Sequence, residues 1–289
     1  MAEVEQSRIE ILKMIPISGG DINQAFRIKT ATRDYFIKLN SSMCYSMLAC
    51  EADNIALIAK TRQIQIPKVL VSGVIENYSF IILPFIDMQS SGDKALFGKQ
   101  LAKLHQNYGE KFGGIGDNYI GLTPQINRPC ASWAEFFSQH RIAFQLNLLT
   151  QKNVNCRLLN KGNQLMASIP EMLRQRNCRP SLIHGDLWSG NYAFDLAGQP
   201  VIYDPACYYA DHEAELAMLE LFGSPGKAFF NAYQQIMPIE KGYAQRKYLY
   251  NLYHILNHAN LFGGGYLSQA ESVIDSLLAV QWDELSTSG

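Results

Sequence analysis

Short apolar and β-branched segments alternate with polar turns over the first 86 or so residues, a pattern that is typical of β-strands. One segment, residues 45–60, instead repeats its apolar positions every three or four residues and contains neither Gly nor Pro, which predicts a helix. The expected order is therefore three strands, one helix and two further strands. The predicted strands are residues 15–17, 25–30, 35–39, 69–75 and 78–83.

Beyond residue 93 the apolar period becomes helical, and residues 94–108 place Leu101, Leu104 and Tyr108 on one face. Ser132, with Glu135 three residues later, has the capping-box pattern that begins a helix. Short apolar segments at residues 181–183, 192–194 and 201–203 bracket a polar loop. Further helices are predicted at residues 213–222, 227–236, 243–260 and 268–281.

These two periods predict an α+β fold of two lobes. The β-rich N-terminal lobe, residues 1–86, is expected to hold a five-stranded sheet and one helix. The mainly helical C-terminal lobe, residues 87–289, follows a linker near residues 84–88.

Composition excludes several classes of partner. The 25 basic and 26 acidic side chains give a net charge of −1, without the basic excess of a general nucleic-acid or anionic-lipid binder. The longest apolar run, FIILPFI at residues 80–86, is far shorter than the roughly 20 residues of a membrane helix, and no signal-peptide pattern opens the sequence. Six scattered cysteines lack C-x-x-C or zinc-finger spacing, which indicates reduced thiols in a cytoplasmic protein. The sequence carries no signal for an oligomeric state.

The strongest local signal is HGDLWSGN at residues 184–191, in which Asp186 and Asn191 have D-x-x-x-x-N spacing. Phosphoryl transfer needs a carboxylate to orient and deprotonate a hydroxyl, and a nearby oxygen ligand for Mg²⁺. Asp204 ends an apolar strand 13 residues after Asn191 and can supply a second hard oxygen ligand. Taken alone, each of these motifs more often belongs to an ordinary turn. Their occurrence in this order favours a catalytic base, Asp186, followed by two metal ligands.

A second group of residues lies in the N-terminal lobe. Lys38 interrupts the apolar strand YFIKL, where an unpaired lysine is costly, and Glu51 lies in the following helix. Such a pair can direct an ammonium group at ATP phosphates, although a snorkelling lysine and a solvated glutamate are the simpler interpretation of either residue alone. Gly19 and Gly20, next to Asp21, predict a tight turn whose N–H groups could cover phosphates.

Together these segments resemble the fructosamine kinase (ketosamine 3-kinase) family, within the wider group of protein-kinase-like and aminoglycoside-phosphotransferase-like folds. The resemblance extends from about residue 16 to about residue 281. It implies an ATP- and Mg²⁺-dependent kinase that phosphorylates the 3-hydroxyl of a sugar attached to an amine, with a role in protein deglycation. The segments that carry it are HGDLWSGN, DPACYY, DNYIGLTPQIN, LYHILNHANLFGGGY and FIKLN.

The resemblance assigns a role to each matching residue. Asp186 resembles the catalytic base, and Asn191 and Asp204 resemble the metal ligands. Lys38 and Glu51 resemble the pair that positions the ATP phosphates, beneath the loop of Gly19 and Gly20.

The linker resembles a kinase hinge, with Leu83 at its first, gatekeeper-like position and Pro84, Phe85 and Ile86 as the adenine-binding segment. The sequence departs from related kinases at Pro84, where they often have Glu. Proline lacks an N–H but keeps its carbonyl. We therefore expect adenine to use the Pro84 carbonyl and the Ile86 N–H.

The acceptor site is less defined. Asp117, Asn118, Gln125 and Asn127 offer planar groups suited to sugar hydroxyls, but they would serve equally well to solvate a loop. Trp188 could stack on a sugar or only pack the catalytic loop. His254 and His258 lie four residues apart on one predicted helix, and we favour a core position or hydrogen bonding between helices over metal binding because no Glu lies between them.

Three functions fit this sequence: a ketosamine kinase, a related phosphotransferase for aminoglycoside- or choline-like acceptors, and a catalytically silent pseudokinase that only binds. The complete set of predicted catalytic residues disfavours the third. Residues 87–183 contain 12 basic and six acidic side chains, a balance that would repel a polycationic aminoglycoside.

Overall fold

A computed structural model of the chain describes residues 10–17, 22–280 and 282. The N-terminal lobe is an antiparallel sheet with one helix, α1 (Tyr45–Thr61), between its third and fourth strands. The predicted order of elements is confirmed. The strands are β1 (Ile11–Ile17), β2 (Gln24–Thr30), β3 (Asp34–Ser41), β4 (Val71–Ile75) and β5 (Tyr78–Pro84), arranged in space as β1-β2-β3-β5-β4.

Helix α1 packs its apolar side under the sheet. Leu48, Ile55 and Ile58 are buried at the spacing that the sequence pattern predicted. The helix ends where Arg62 takes a left-handed conformation with φ of 55°. This placement directs Glu51, on the same helix, toward strand β3 and Lys38.

The C-terminal lobe is mainly helical, as predicted. Ser132 caps its helix by accepting the N–H of Glu135, and a π-helical segment at Phe137–Ala143 joins two helices. The helices are α2 (Lys94–His105), α3 (Trp133–Phe136), α4 (Phe144–Gln151), α5 (Cys156–Met172), α6 (His212–Leu221), α7 (Lys227–Gln234), α8 (Tyr243–Phe262) and α9 (Gly265–Ala279).

Short strands position the loops of this lobe. The three apolar segments bracketing the polar loop form strands as predicted, whereas β6, β7, β8, β12 and helix α5 were not predicted. Strands of two or three residues are too short to show a period, and Pro170 interrupts the α5 pattern near its end. The strands are β6 (Met88–Gln89), β7 (Asn118–Ile120), β8 (Thr123–Gln125), β9 (Ser181–Ile183), β10 (Tyr192–Asp195), β11 (Pro200–Ile202) and β12 (Tyr208–Ala210).

One apolar cluster continues across both lobes. It joins Leu48 and Leu83 of the N-terminal lobe to Leu101, Leu187 and Ile202 of the C-terminal lobe. Strand β6, directly after the linker, pairs with β10. The cleft between the lobes therefore lies beside a shared core. Among the helices in the described residues, none is both long and apolar enough to cross a bilayer.

Candidate active site

The catalytic loop between β9 and β10 brings Asp186 and Asn191 into direct contact. The Asn191 side-chain nitrogen donates to the Asp186 carbonyl oxygen at 2.7 Å and to its carboxylate Oδ2 at 3.1 Å. Asn191 is buried, so this amide orientation is fixed by the loop itself. Since the NH₂ group is used in this way, the amide oxygen is the atom of Asn191 suited to bind a cation.

Asp186 has an unusual electrostatic environment. Burial, together with the negative charge of Asp204, raises the pKa of Asp186 to about 8, although the hydrogen bond from Asn191 opposes this rise. Two carboxylates that face one site repel each other in this way. A divalent cation placed between them would relieve this repulsion.

Asp204 follows β11 in a left-handed conformation with φ of 60°, which is uncommon for a residue other than glycine. Its carboxylate Oδ1 lies 2.6 Å from Lys38 Nζ, and its side chain is 42% exposed to the cleft. The backbone strain therefore accompanies a carboxylate that reaches across from the C-terminal lobe to the N-terminal lobe.

The predicted ion pair between Lys38 and Glu51 is confirmed, with Nζ 2.7 Å from Oε1. Burial alone would lower the pKa of Lys38, but Asp204 and Glu51 together hold it above its ordinary value, so the ammonium stays charged. Gly19, Gly20 and Asp21, the predicted phosphate loop, lie outside the described residues.

The donor set fits Mg²⁺ better than a closed metal centre. The Asn191 amide oxygen and the Asp204 carboxylate are hard oxygen ligands in an open cleft. Within the described part of the chain, no group of three or more His, Cys, Asp or Glu side chains is placed to hold a metal ion. Mg²⁺ commonly takes one or two carboxylates and completes its shell with water and substrate phosphates.

Between the lobes, beside the hinge, lies a cavity of about 440 Å³. Its lining includes Lys38, Leu83, Pro84, Phe85 and Ile86. The size and apolar walls suit an adenine base. This cavity therefore holds the hinge residues predicted from the sequence.

Within the hinge, the Phe85 N–H donates to the Asp34 carbonyl oxygen at 3.1 Å. Arg27 pairs with Asp34 and lies over the Phe85 ring at 4.0 Å. Phe85 is thus fixed to the sheet by its backbone and ring. The Pro84 carbonyl and the Ile86 N–H, which we expect to bind adenine, are not used in that bond.

Glu215 of α6 supports the backbone that precedes Asp186, a contact that the sequence pattern did not predict. Its carboxylate accepts the backbone N–H of His184 at 3.0 Å and of Gly185 at 2.7 Å, and it contacts His105 Nε2 at 2.8 Å. Although it is buried, the bond to His105 keeps the pKa of Glu215 below its usual value. An acidic residue within the otherwise apolar run AELAML was the signal that could have revealed it.

Gly185 itself has φ of +86°, and a Cβ added there would lie 2.0 Å from the Ala206 carbonyl oxygen. Only glycine fits a positive φ together with this close approach. The loop before Asp186 is therefore held from one side by Glu215 and from the other by the segment after Asp204.

The structure places three of the four suggested sugar-binding residues in buried hydrogen bonds. Asn118 donates to the Cys207 carbonyl at 2.8 Å, and Gln125 donates to the Ala206 carbonyl at 3.1 Å. Asn127 accepts from the buried Arg141 at 2.7 Å. These amides support the segment after Asp204, so their geometry is that of positioning residues.

Asp117, the fourth member of that set, accepts the N–H of Asn127 at 2.7 Å. Trp188, in contrast, is 38% exposed and lines a second cavity of about 210 Å³ with Asp186, Asp204 and Tyr119. Of the residues suggested for acceptor contact, Trp188 is the one whose ring faces the catalytic cleft.

His254 is buried beside the Tyr253 ring, and burial lowers the pKa of His254 to about 3. It is therefore a neutral core residue, as favoured from the sequence.

Three of the basic side chains of residues 87–183 do not present a free positive charge to solvent. Arg176 pairs with Asp211, Arg141 is fully buried, and Lys161 pairs with Asp275. The net charge of this segment therefore overstates its repulsion of a polycationic acceptor.

Comparison with known proteins gives one consistent family. The fructosamine kinase family model matches residues 1–280. A probable ketoamine kinase from Vibrio vulnificus is 41% identical over 284 residues, which cover 96% of this chain and 97% of that protein. The chloroplastic protein-ribulosamine 3-kinase of Oryza sativa subsp. japonica is 41% identical over 278 residues, covering 95% and 81%.

Solved structures agree with this family. A Haemophilus somnus protein, provisionally named a fructosamine-3-kinase, superimposes with a TM-score of 0.85 at 30% identity, covering 94% of this chain and 93% of its own. A choline kinase from Streptococcus pneumoniae superimposes with a TM-score of 0.66 at 15% identity, covering 94% and 95%, and shows the shared kinase-like fold alone.

Proposed function

The chain belongs to the fructosamine kinase family, and we propose that it transfers the γ-phosphoryl group of ATP to the 3-hydroxyl of a ketosamine. The observation that carries this proposal is that two groups of contacts, Asp186 with Asn191 and Lys38 with Glu51 and Asp204, line the same cavity in the cleft. Relatives named ketoamine kinase and protein-ribulosamine 3-kinase support the acceptor class.

Asp186 would accept the proton of the sugar hydroxyl as its oxygen bonds to the γ-phosphorus. The bond between that phosphorus and the oxygen bridging to the β-phosphate breaks, and ADP leaves with the electron pair. The hydrogen bond from Asn191 keeps the carboxylate directed at the acceptor.

Lys38, held between Glu51 and Asp204, would stabilise the phosphate oxygens while charge develops on them. Magnesium, held by the Asn191 amide oxygen and the Asp204 carboxylate, would neutralise phosphate charge and align the transferred group. Trp188, which lines the same cavity as Asp186, would contact the acceptor beside its sugar.

The two rival functions have less support. Aminoglycoside and choline kinases share the fold at 15–18% identity, which does not indicate their acceptors. A binding-only pseudokinase would not require the strained Asp204 or the buried pairing of Lys38.

The test is ADP release by the purified protein with Mg²⁺-ATP and ribulose-, erythrulose- or fructose-derived adducts of N-α-acetyl-lysine. Kanamycin and choline serve as competing acceptors, and Asp186→Asn serves as the inactive control. We expect a higher kcat/KM for at least one ketosamine, with phosphate on carbon 3 by NMR. A higher kcat/KM for kanamycin or choline, or ATP turnover independent of any acceptor, would contradict the proposal.

A further inference from the structure

An aromatic strip leads away from the catalytic loop along the C-terminal lobe. It consists of Trp188, Phe222, His258, Phe262 and Tyr266. Trp188 meets the Phe222 ring edge-on at 6.3 Å, and Phe222 lies 5.1 Å from the His258 ring. His258 continues to Phe262 at 5.6 Å and to Tyr266 at 5.0 Å, measured between ring centroids.

Two members of the strip are exposed although they are large and apolar. Trp188 is 38% exposed and Phe262 is 61% exposed. Single exposed apolar residues are ordinary, but a contiguous group next to a catalytic cleft marks a binding surface.

The strip is continuous with the active site. Trp188 lines the same cavity as Asp186, and the neighbouring Ser189 hydroxyl donates to the Phe222 carbonyl at 2.7 Å. This bond joins the catalytic loop to the segment after α6. Whatever sits against Asp186 therefore meets the strip at its inner end.

His258 supports an apolar character for this surface. Its Nδ1 is shielded from solvent and has no hydrogen-bond partner among the described residues. Burial lowers the pKa of His258, so the ring stays neutral near neutral pH. A neutral ring among aromatic rings does not repel a cationic ligand.

The chemistry of a ketosamine indicates which part of the acceptor would lie against the aromatic strip. The nitrogen is attached to carbon 1 and is separated from the reacting carbon 3 only by carbons 1 and 2. With the 3-hydroxyl at Asp186, the nitrogen and its substituent must leave the cleft within a few ångströms of it. The nitrogen is a protonated secondary amine, which aromatic faces attract.

We propose, resting on the ketosamine kinase function above, that the aromatic strip binds the amine half of the acceptor and gives preference to amines with apolar or aromatic substituents. Trp188 contacts the part next to the nitrogen, and Phe262 contacts the outer substituent. The strip is thus a specificity surface for the amine, separate from the groups that recognise the sugar.

The experiment compares two adducts of the same sugar, ribulose-derived 6-phenylhexylamine, whose chain is long enough to follow the strip from Trp188 toward Phe262, and ribulose-derived methylamine. We expect the wild-type chain to have the higher kcat/KM for the phenylhexylamine adduct. Phe262→Ala should lower that preference about three- to tenfold, mainly through KM, because one aromatic contact is lost. Phe262→Tyr should retain it.

Tyr248→Ala is the matched control, since Tyr248 is 55% exposed on the same helix about 21 Å along its axis from Phe262. It should leave the preference unchanged. Thermal unfolding checks that each variant is folded. Because Phe262 is exposed, its substitution should leave the fold intact.

An unchanged preference in Phe262→Ala, or an equal loss for both adducts, would overturn the role of the strip and leave the kinase function intact. Equal kcat/KM for the two adducts in the wild type would also overturn it. Failure of the wild type to phosphorylate either adduct, or the lysine adducts above, would instead contradict the proposed function.

Discussion

Glu215 accepts the backbone N–H of Gly185 at 2.7 Å, although its carboxylate is completely buried. A second bond, from the His184 N–H, directs the same carboxylate at the peptide that precedes Asp186. His105 supports it from behind, and Tyr233 in turn contacts His105 at 2.6 Å. The position of Asp186, the proposed base, therefore depends on a chain of buried polar groups rather than on the loop alone.

Glu215→Gln should lower kcat more than it raises the KM for ATP, because the two N–H groups use different carboxylate oxygens and the glutamine NH₂ would meet one of them as a second donor. We expect a loss of about 10-fold or more in kcat, corresponding to one or more buried hydrogen bonds. The control is Glu220→Gln on the same helix, whose carboxylate pairs with Lys247 at 2.6 Å. Unchanged kcat in a folded Glu215→Gln variant would contradict this role.

Asp186→Asn should abolish phosphoryl transfer while leaving nucleotide binding within a few-fold. Loss of a positioned base costs about 10²–10⁴ in rate. Asp195→Asn, on the neighbouring strand β10, is the control: it removes one negative charge at a position outside the cleft and should have near wild-type turnover. Single-turnover rates and nucleotide titration separate the two effects. Near wild-type turnover in folded Asp186→Asn would exclude it as the base.

Two kinds of feature in the sequence predicted parts of the site: short motifs with a characteristic spacing, and a charged residue inside an otherwise apolar strand. Lys38 was predictable because a lysine inside an apolar strand needs a partner, and Glu51 lies where the next helix supplies one. The order of Asp186, Asn191 and Asp204 predicted that they would lie together, and they line one cavity, while their roles in catalysis stay predictions.

The residues that the sequence did not reveal act through distant backbone contacts. Glu215 bonds to residues 30 and 31 positions away, and Asn118 bonds to a carbonyl 89 positions away. Polar side chains of this kind look alike whether they face solvent or a buried carbonyl. Asn118, Gln125 and Asn127 were therefore identified as notable residues, but their contacts could be assigned only from the fold.

Lys38 and Glu51 should act as one unit in ATP binding. Lys38→Met leaves the buried Glu51 carboxylate without its partner, so part of the damage should be removed by adding Glu51→Gln. We expect the two changes to be clearly non-additive in kcat/KM for ATP, as for groups in direct contact. The double-mutant cycle measures this coupling. Strictly additive effects would indicate that the 2.7 Å contact has no part in catalysis.

The hinge prediction depends on one N–H group. Ile86→Pro removes the donor that we expect adenine to use and should raise the KM for ATP about 10-fold, with a smaller effect on kcat. Ile86→Ala keeps the N–H and is the matched control, expected within a few-fold of wild type. Equal KM values for the two variants would show that adenine does not use this donor.

Stability should fall on acidification because of buried histidines. Burial, with the neighbouring His105, Arg176 and Arg246, lowers the pKa of His212 to about 4, despite the opposing charge of Asp211. Burial also lowers the pKa of His254 to about 3, with smaller contributions from His258 and Arg141.

In the unfolded chain these histidines regain an ordinary pKa of about 6.5, so below that pH the unfolded state binds protons that the folded state excludes. The stabilisation is complete above about pH 6.5 and is lost progressively as the pH falls toward the folded values. At pH 5 each histidine should account for a loss of roughly 2 kcal/mol relative to pH 7.5.

Urea unfolding of wild type and His254→Gln at pH 7.5 and pH 5 measures this difference. The variant should lose less free energy of unfolding on acidification than the wild type, because glutamine at this position binds no proton in the unfolded state. His140→Gln is the control, since His140 is only half-buried and should change the pH dependence less. An equal acid loss in wild type and His254→Gln would show that His254 takes up its proton without unfolding.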